Sequence, residues 1–214
     1  MDYKKMEEDI EIYYSSVENE ENGRYRSWNI IFDDFSMIDT PHLSNEKLDY
    51  LTRSLMLYLA NFGMLRGSSK LLKHNYHIHE EAVEIVIESL PRLRQYPENE
   101  KEIKGYAEKV WETIDALQKY YRKIDVSPTA TLISKIILGT SAAIPAYDTY
   151  FKNFLRENRL TQKLGKQSIR EIWDLWFVFK ANSSDLPDYP YPPMKLIDMT
   201  GFQFGNSNSK EKKA

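Results

Sequence analysis

The sequence predicts an all-α fold: a single globular domain of about seven or eight helices, with an acidic N-terminal segment and a polar, disordered C-terminal tail. Three observations carry this reading. Apolar residues recur at three- and four-residue steps over most of the chain. No stretch sustains the period-two alternation of a half-buried strand, and Asn22-Gly23 is flanked by charge rather than by β-branched runs. The 214 residues, 42% hydrophobic and 29% charged, suffice for one sizeable core without covalent staples.

The elements follow in order. Residues 1–22 form the acidic segment, 23–205 one helical domain and 206–214 a flexible tail. Leu48, Leu51, Leu55, Leu59 and Phe62 define an apolar helix face, with Ser44 or Asn45 as N-cap after Pro41. Val83, Ile87 and Leu90 repeat the pattern, ending near Pro91 or Pro97. Ile103, Tyr106, Val110, Ile114, Leu117 and Tyr121 repeat it over five turns. Ser127-Pro128 reads as N-cap plus first-turn proline for a helix running through Leu138, with Gly139 as its stop. Pro145 then opens a helix carrying Tyr147, Phe151 and Phe154. Ser168 with Glu171 reads as a capping box introducing Ile169, Ile172, Trp173, Trp176 and Phe179. Asp185 to Pro193 is an extended connector, a strap over the core, and Met194 to Phe204 a final short helix.

Composition excludes several chemistries. There is no cysteine, hence no disulfide framework, thiolate zinc site or cysteine nucleophile, and the chain fits a reducing compartment. No secretory leader and no membrane span is visible, so a soluble, cytoplasmic protein is expected. The formal charge of −3 is unevenly spread: residues 1–40 carry 4 basic and 11 acidic side chains, residues 128–180 carry 8 basic and 4 acidic. No Walker loop, dinucleotide fingerprint, nucleophile elbow or kinase signature occurs, and no cofactor is expected. His77-Ile78-His79-Glu80-Glu81 lacks the spacing of a metal site and reads as a polar entry to a helix.

The stretch LYLANFGMLRGSS, residues 57–69, carries the first candidate site. Extending the apolar face four residues beyond Phe62 lands on Arg66, and three more on Ser69. A buried guanidinium must be paired. Asp148, in the first turn after Pro145, is the first candidate partner, with Asp33 and Asp34 next. Arg66, Ser68, Ser69, Tyr147 and Asp148 therefore form a candidate polar centre, either a structural fork or an anion site. A second candidate set, Lys135, Lys152, Arg156, Arg159, Lys163, Lys166 and Arg170, would serve as phosphate contacts if they share one surface. The cluster Trp173, Trp176, Phe177 and Phe179 reads as core or subunit interface, with Trp111, Tyr120 and Tyr121 as neighbours.

Taken together, LYLANFGMLRGSS, PAYDTYF and YPPMKLIDM resemble an uncharacterised family of bacterial proteins of similar length, from about Trp28 to Phe204. The resemblance implies a bacterial source and marks Arg66, Gly67, Ser68, Ser69, Tyr147 and Asp148 as motif positions, without a substrate or mechanism. The layout Ser134-Lys135-Ile136-Ile137-Leu138 … Ile144-Pro145-Ala146-Tyr147-Asp148 is also similar to the later part of helix-hairpin-helix proteins that hold DNA backbone, although the glycine-rich hairpin is missing.

Three functional expectations follow. The first is a non-enzymatic helical module acting through a macromolecular partner or self-association, away from membranes. The second is an anion-binding or hydrolytic site around Arg66 and Asp148. The third is a nucleic-acid binder using the basic 128–180 region.

Overall fold

A computed structural model describes residues 1–66, 70–183 and 186–211, without the side chains of 208–211. Among the described residues there is no strand, and nine α-helices pack around one core. They are α1 (Tyr3–Glu18), α2 (Ser27–Ser36), α3 (Asn45–Asn61), α4 (Glu80–Leu93), α5 (Glu100–Lys123), α6 (Ala130–Ser141), α7 (Thr149–Glu157), α8 (Lys166–Asn182) and α9 (Pro193–Glu211). No helix among the described residues is long and apolar enough to cross a membrane.

Most of the acidic segment folds as a helix. α1 buries Met6, Ile10, Tyr13 and Val17 and packs on α9, while most of its carboxylates face water. α9 in turn lies across α7, where Gly201 faces the ring of Phe151 and Gly205 that of Tyr150. The last helix is thus longer than its apolar pattern suggests and includes residues 206–211 of the expected tail.

Helix α6 is buried on every side, from Leu132 to Ser141. A helix without a polar face belongs inside. Its neighbours are α2, α3, α4 and α5. The expected stop at Gly139 is not used. A Cβ there would stand 2.7 Å from the ring of Tyr58, so glycine permits the close crossing of α3, and the helix runs on to Ser141. Its N-cap is Thr129, whose hydroxyl accepts from the Leu132 amide at 3.1 Å, not Ser127.

After α6 the chain crosses the interior as an irregular segment, 142–147, every residue of it buried. Pro145 does not open a helix; α7 starts four residues later. Backbone polar groups removed from water need partners, and side chains from other elements supply them. Trp28 donates to the Leu138 carbonyl at 3.0 Å, Tyr96 to that of Ser141 at 2.5 Å and Trp173 to that of Ala143 at 3.2 Å. Asp198 accepts from the Ala146 amide at 3.0 Å, and Ser134 from the Tyr147 amide at 2.7 Å. The aromatic residues thus serve as donors, Trp28 and Tyr96 to the end of α6 and Trp173 to this segment, as well as filling the core. Trp173 packs on Tyr96 and Tyr106, not on Trp111, Tyr120 or Tyr121.

Two other local readings shift. Ser168 is the third residue of its helix, its hydroxyl bonding back to Gly165, while Glu171 caps the turn at Thr161 instead. The Tyr189–Tyr191 strap does lie on the core: Tyr189 packs on Tyr14, and Tyr191 on Tyr14 and Trp28.

Candidate functional site

Arg66 is not buried. α3 ends in a Schellman turn, with Gly63 (φ 73°) donating to the Ala60 carbonyl and Met64 to that of Leu59. The helix therefore stops before its apolar face reaches Arg66, which stands exposed at the surface. The partner of Asp148 is Lys135. Asp148 caps α7, one carboxylate oxygen accepting from the Phe151 amide at 3.0 Å, and its other oxygen lies 3.5 Å from the Lys135 ammonium. Tyr147 is fully buried, and its hydroxyl donates to Ser168 at 2.9 Å. Burial pushes its phenol well above the ordinary range. Ser68 and Ser69 lie outside the described residues. Of the proposed centre, Arg66 and Asp148 do meet on one surface: both line a cleft of about 300 Å³, together with Arg24, Tyr25, Phe62, Lys135, Tyr150 and Phe202.

Behind that cleft is an inner cavity of about 30 Å³, and Phe62, Lys135, Asp148 and Phe202 line both spaces. Its other walls are Tyr13, Trp28, Tyr58, Leu138, Phe151, Lys195 and Asp198. Lys195 is 2% exposed and Lys135 7%. The Lys195 ammonium sits between rings, 4.6 Å from the centroid of Tyr13 and 5.0 Å from that of Trp28. Its polar contacts are the Tyr13 hydroxyl and an Asp198 oxygen, each at 3.3 Å. The Lys135 ammonium lies 4.8 Å from the centroid of Phe62.

Both ion pairs are long for charge-assisted bonds, which settle nearer 2.8 Å. Each ammonium also has three donors. Among the described residues Lys195 engages two acceptors and Lys135 one. The carboxylates are the committed partners, since Asp148 also holds the start of α7 and Asp198 the Ala146 amide. Burial, reinforced by the charge of Asp198, pushes the phenols of Tyr13 and Tyr58 far up, so both rings stay neutral walls.

Lys195, Asp198, Tyr13 and Trp28 were not singled out from sequence as site residues. The available signal was a lysine set among apolar residues. α6 carries Lys135 in ATLISKIILGTS, and α9 carries Lys195 among Met194, Leu196 and Ile197. Of the expected phosphate contacts, Lys135 is therefore interior. Lys166 and Arg170 both pair with Glu108 of α5, Arg170 at 3.2 Å. Lys152 is half-buried, and only Arg156, Arg159 and Lys163 are exposed.

Elsewhere His79 is buried, its Nδ1 hydrogen-bonded with the Tyr121 hydroxyl at 2.6 Å, and burial lowers its pKa to about 4. Among the described residues no group of three or more acidic or histidine side chains could hold a metal ion. No protein-family model matches the chain, and neither characterised proteins nor solved structures gave a match, so the chemistry of this site rests on its own residues.

Proposed function

We propose that the chain is a non-enzymatic binding protein for a small organic anion, held where the outer cleft meets the inner cavity. The observation that carries this is the pair of buried ammoniums, Lys135 and Lys195, lining one cavity with donors to spare. Burying a charge costs several kcal/mol unless it is compensated. A fold that served stability alone gains little from two such charges on loose pairs. An anion entering the cavity would complete both.

The surroundings favour the same reading. Arg24 and Arg66 line the cleft outside. The Arg24 guanidinium lies over the ring of Tyr25 at 4.8 Å and donates to its hydroxyl at 2.8 Å. With about 300 Å³, the cleft falls at the lower end of ordinary ligand pockets. Several aromatic rings with a few convergent charges line it, a usual composition of such sites.

The test is nuclear magnetic resonance of ¹⁵N-labelled protein titrated with benzoate, phenyl phosphate and terephthalate. The expected result is saturable shifts confined to residues around Phe62, Lys135, Asp148 and Lys195. Shifts scattered over the surface, or none at millimolar anion, would sink the proposal.

A second reading, nucleic-acid binding, is favoured by one observation: Arg156, Arg159 and Lys163 are exposed together at the end of α7 and the turn that follows.

A further inference from the structure

We infer that the ligand is a planar dianion whose carboxylate end enters the inner cavity between Lys135 and Lys195, with its second anionic group at the cleft mouth beside Arg24 and Arg66. This rests on the anion-binding reading and narrows it to one chemical class.

The size of the inner space sets the head group. The inner space is about 30 Å³ against about 300 Å³ for the cleft outside, so the smaller anionic head suits it better. A carboxylate presents two oxygens. An ionised phosphomonoester brings three terminal oxygens and an ester oxygen around a tetrahedral phosphorus and is the bulkier head. The donors agree: the ammoniums of Lys135 and Lys195 can each serve one carboxylate oxygen with donors not used by Asp148, Asp198 or Tyr13.

The charges set the rest. Arg24, Arg66, Lys135 and Lys195 line the joined spaces, against the carboxylates of Asp148 and Asp198. The surplus of two positive charges is neutralised by a dianion. Two of those cations are inside and two outside, which places the anionic groups at opposite ends of the ligand. Between them stand the rings of Phe62, Tyr25, Tyr150 and Phe202. Phe202 meets Tyr25 at 5.3 Å and Tyr150 at 5.5 Å, both edge to face. Ring edges and faces of this kind receive a flat apolar body.

Calorimetry with three probes tests this: terephthalate, benzoate and phenyl phosphate, against wild type, Lys195→Gln and Arg66→Gln. Terephthalate is expected to bind best, benzoate about tenfold more weakly, since each tenfold corresponds to about 1.4 kcal/mol, and phenyl phosphate more weakly still. Lys195→Gln should weaken terephthalate and benzoate alike, by tenfold or more on the same scale. Arg66 is exposed, so Arg66→Gln should fold normally. It should bring terephthalate down toward benzoate and leave benzoate unchanged. That split decides the matter even if Lys195→Gln does not fold. Phenyl phosphate binding more tightly than both carboxylates would overturn the carboxylate head and leave the anion site standing. Equal binding of terephthalate and benzoate would overturn the dianion. Failure of every probe would remove the anion-binding reading itself.

Discussion

Asp148 holds Lys135 with one carboxylate oxygen and the first turn of α7 with the other. A single side chain thus fixes the direction of a helix and the position of a buried ammonium beside the cavity. The irregular segment 142–147 delivers Asp148 to this point, anchored in turn by Ser134 on α6 and Asp198 on α9.

Removing that carboxylate should therefore cost more than an ordinary cap. Loss of an N-cap costs about 1 kcal/mol, and stranding the buried Lys135 adds to it; Asp148 is 28% exposed, which tempers the ion-pair part. Asp148→Ala should lose about 2–3 kcal/mol by urea denaturation. Asp148→Asn, which can still cap, should lose less. In a double-mutant cycle Lys135→Met should restore part of the loss. Additive losses would show that the two residues act independently.

Two glycines should respond in opposite directions. Gly139→Ala drives a methyl into the ring of Tyr58 and should destabilise by about 1–3 kcal/mol, the usual range for overpacking. Gly105, exposed in the second turn of α5, has nothing within 4 Å of an added Cβ. Gly105→Ala should stabilise by about 0.5–1 kcal/mol through helix propensity. Thermal melts of the two variants, compared with wild type, settle both signs.

His79 should make the fold acid-sensitive. In the unfolded chain its imidazole titrates near 6.5, in the fold near 4. Above pH 6.5 it is neutral in both states and the full stability is present. Between 6.5 and 4 only the unfolded chain takes up the proton, so stability falls with pH, by an amount on the order of 3 kcal/mol at pH 4. Denaturation at pH 7, 5.5 and 4.5 should show a shallower decline for His79→Phe than for wild type, whatever the starting stability of the variant. Parallel declines would assign the acid sensitivity to carboxylates.

Reversing charge at Arg156, Arg159 and Lys163 should leave small-anion binding unchanged, because none of the three lines the cleft or the cavity. Nucleic-acid affinity carried by that surface would behave otherwise. It should fall with salt and drop in the triple glutamate variant, the salt slope easing by about 0.9 per lost phosphate contact. Binding that ignores both salt and the variant would clear this surface of the role.

Much of the fold was legible because most helices show water a polar face. α3, α4 and α5 followed from the spacing of Leu51, Val83 and Ile103 with their repeats. α6 misled for the opposite reason. With no polar face, its lone Lys135 read as a surface cation, and Gly139 as a terminator rather than a crossing point. The site was half visible. Asp148 and Arg66 stood out by position, but the glycine turn at Gly63 set Arg66 outside the core, and only the folded chain brings Lys195, some 60 residues beyond Lys135, to the same cavity. Such long-range convergence leaves no periodic trace.

In the proposed function Lys135 and Lys195 hold an anion between them. The most direct measurement follows the side-chain ammonium signals of ¹⁵N-lysine-labelled protein as benzoate is added, with Lys135→Arg and Lys195→Arg variants to assign them. These two signals are expected to shift together, with one saturation curve, while the exposed lysines stay put. Shifts spread evenly over the exposed lysines, with Lys135 and Lys195 unmoved, would contradict it.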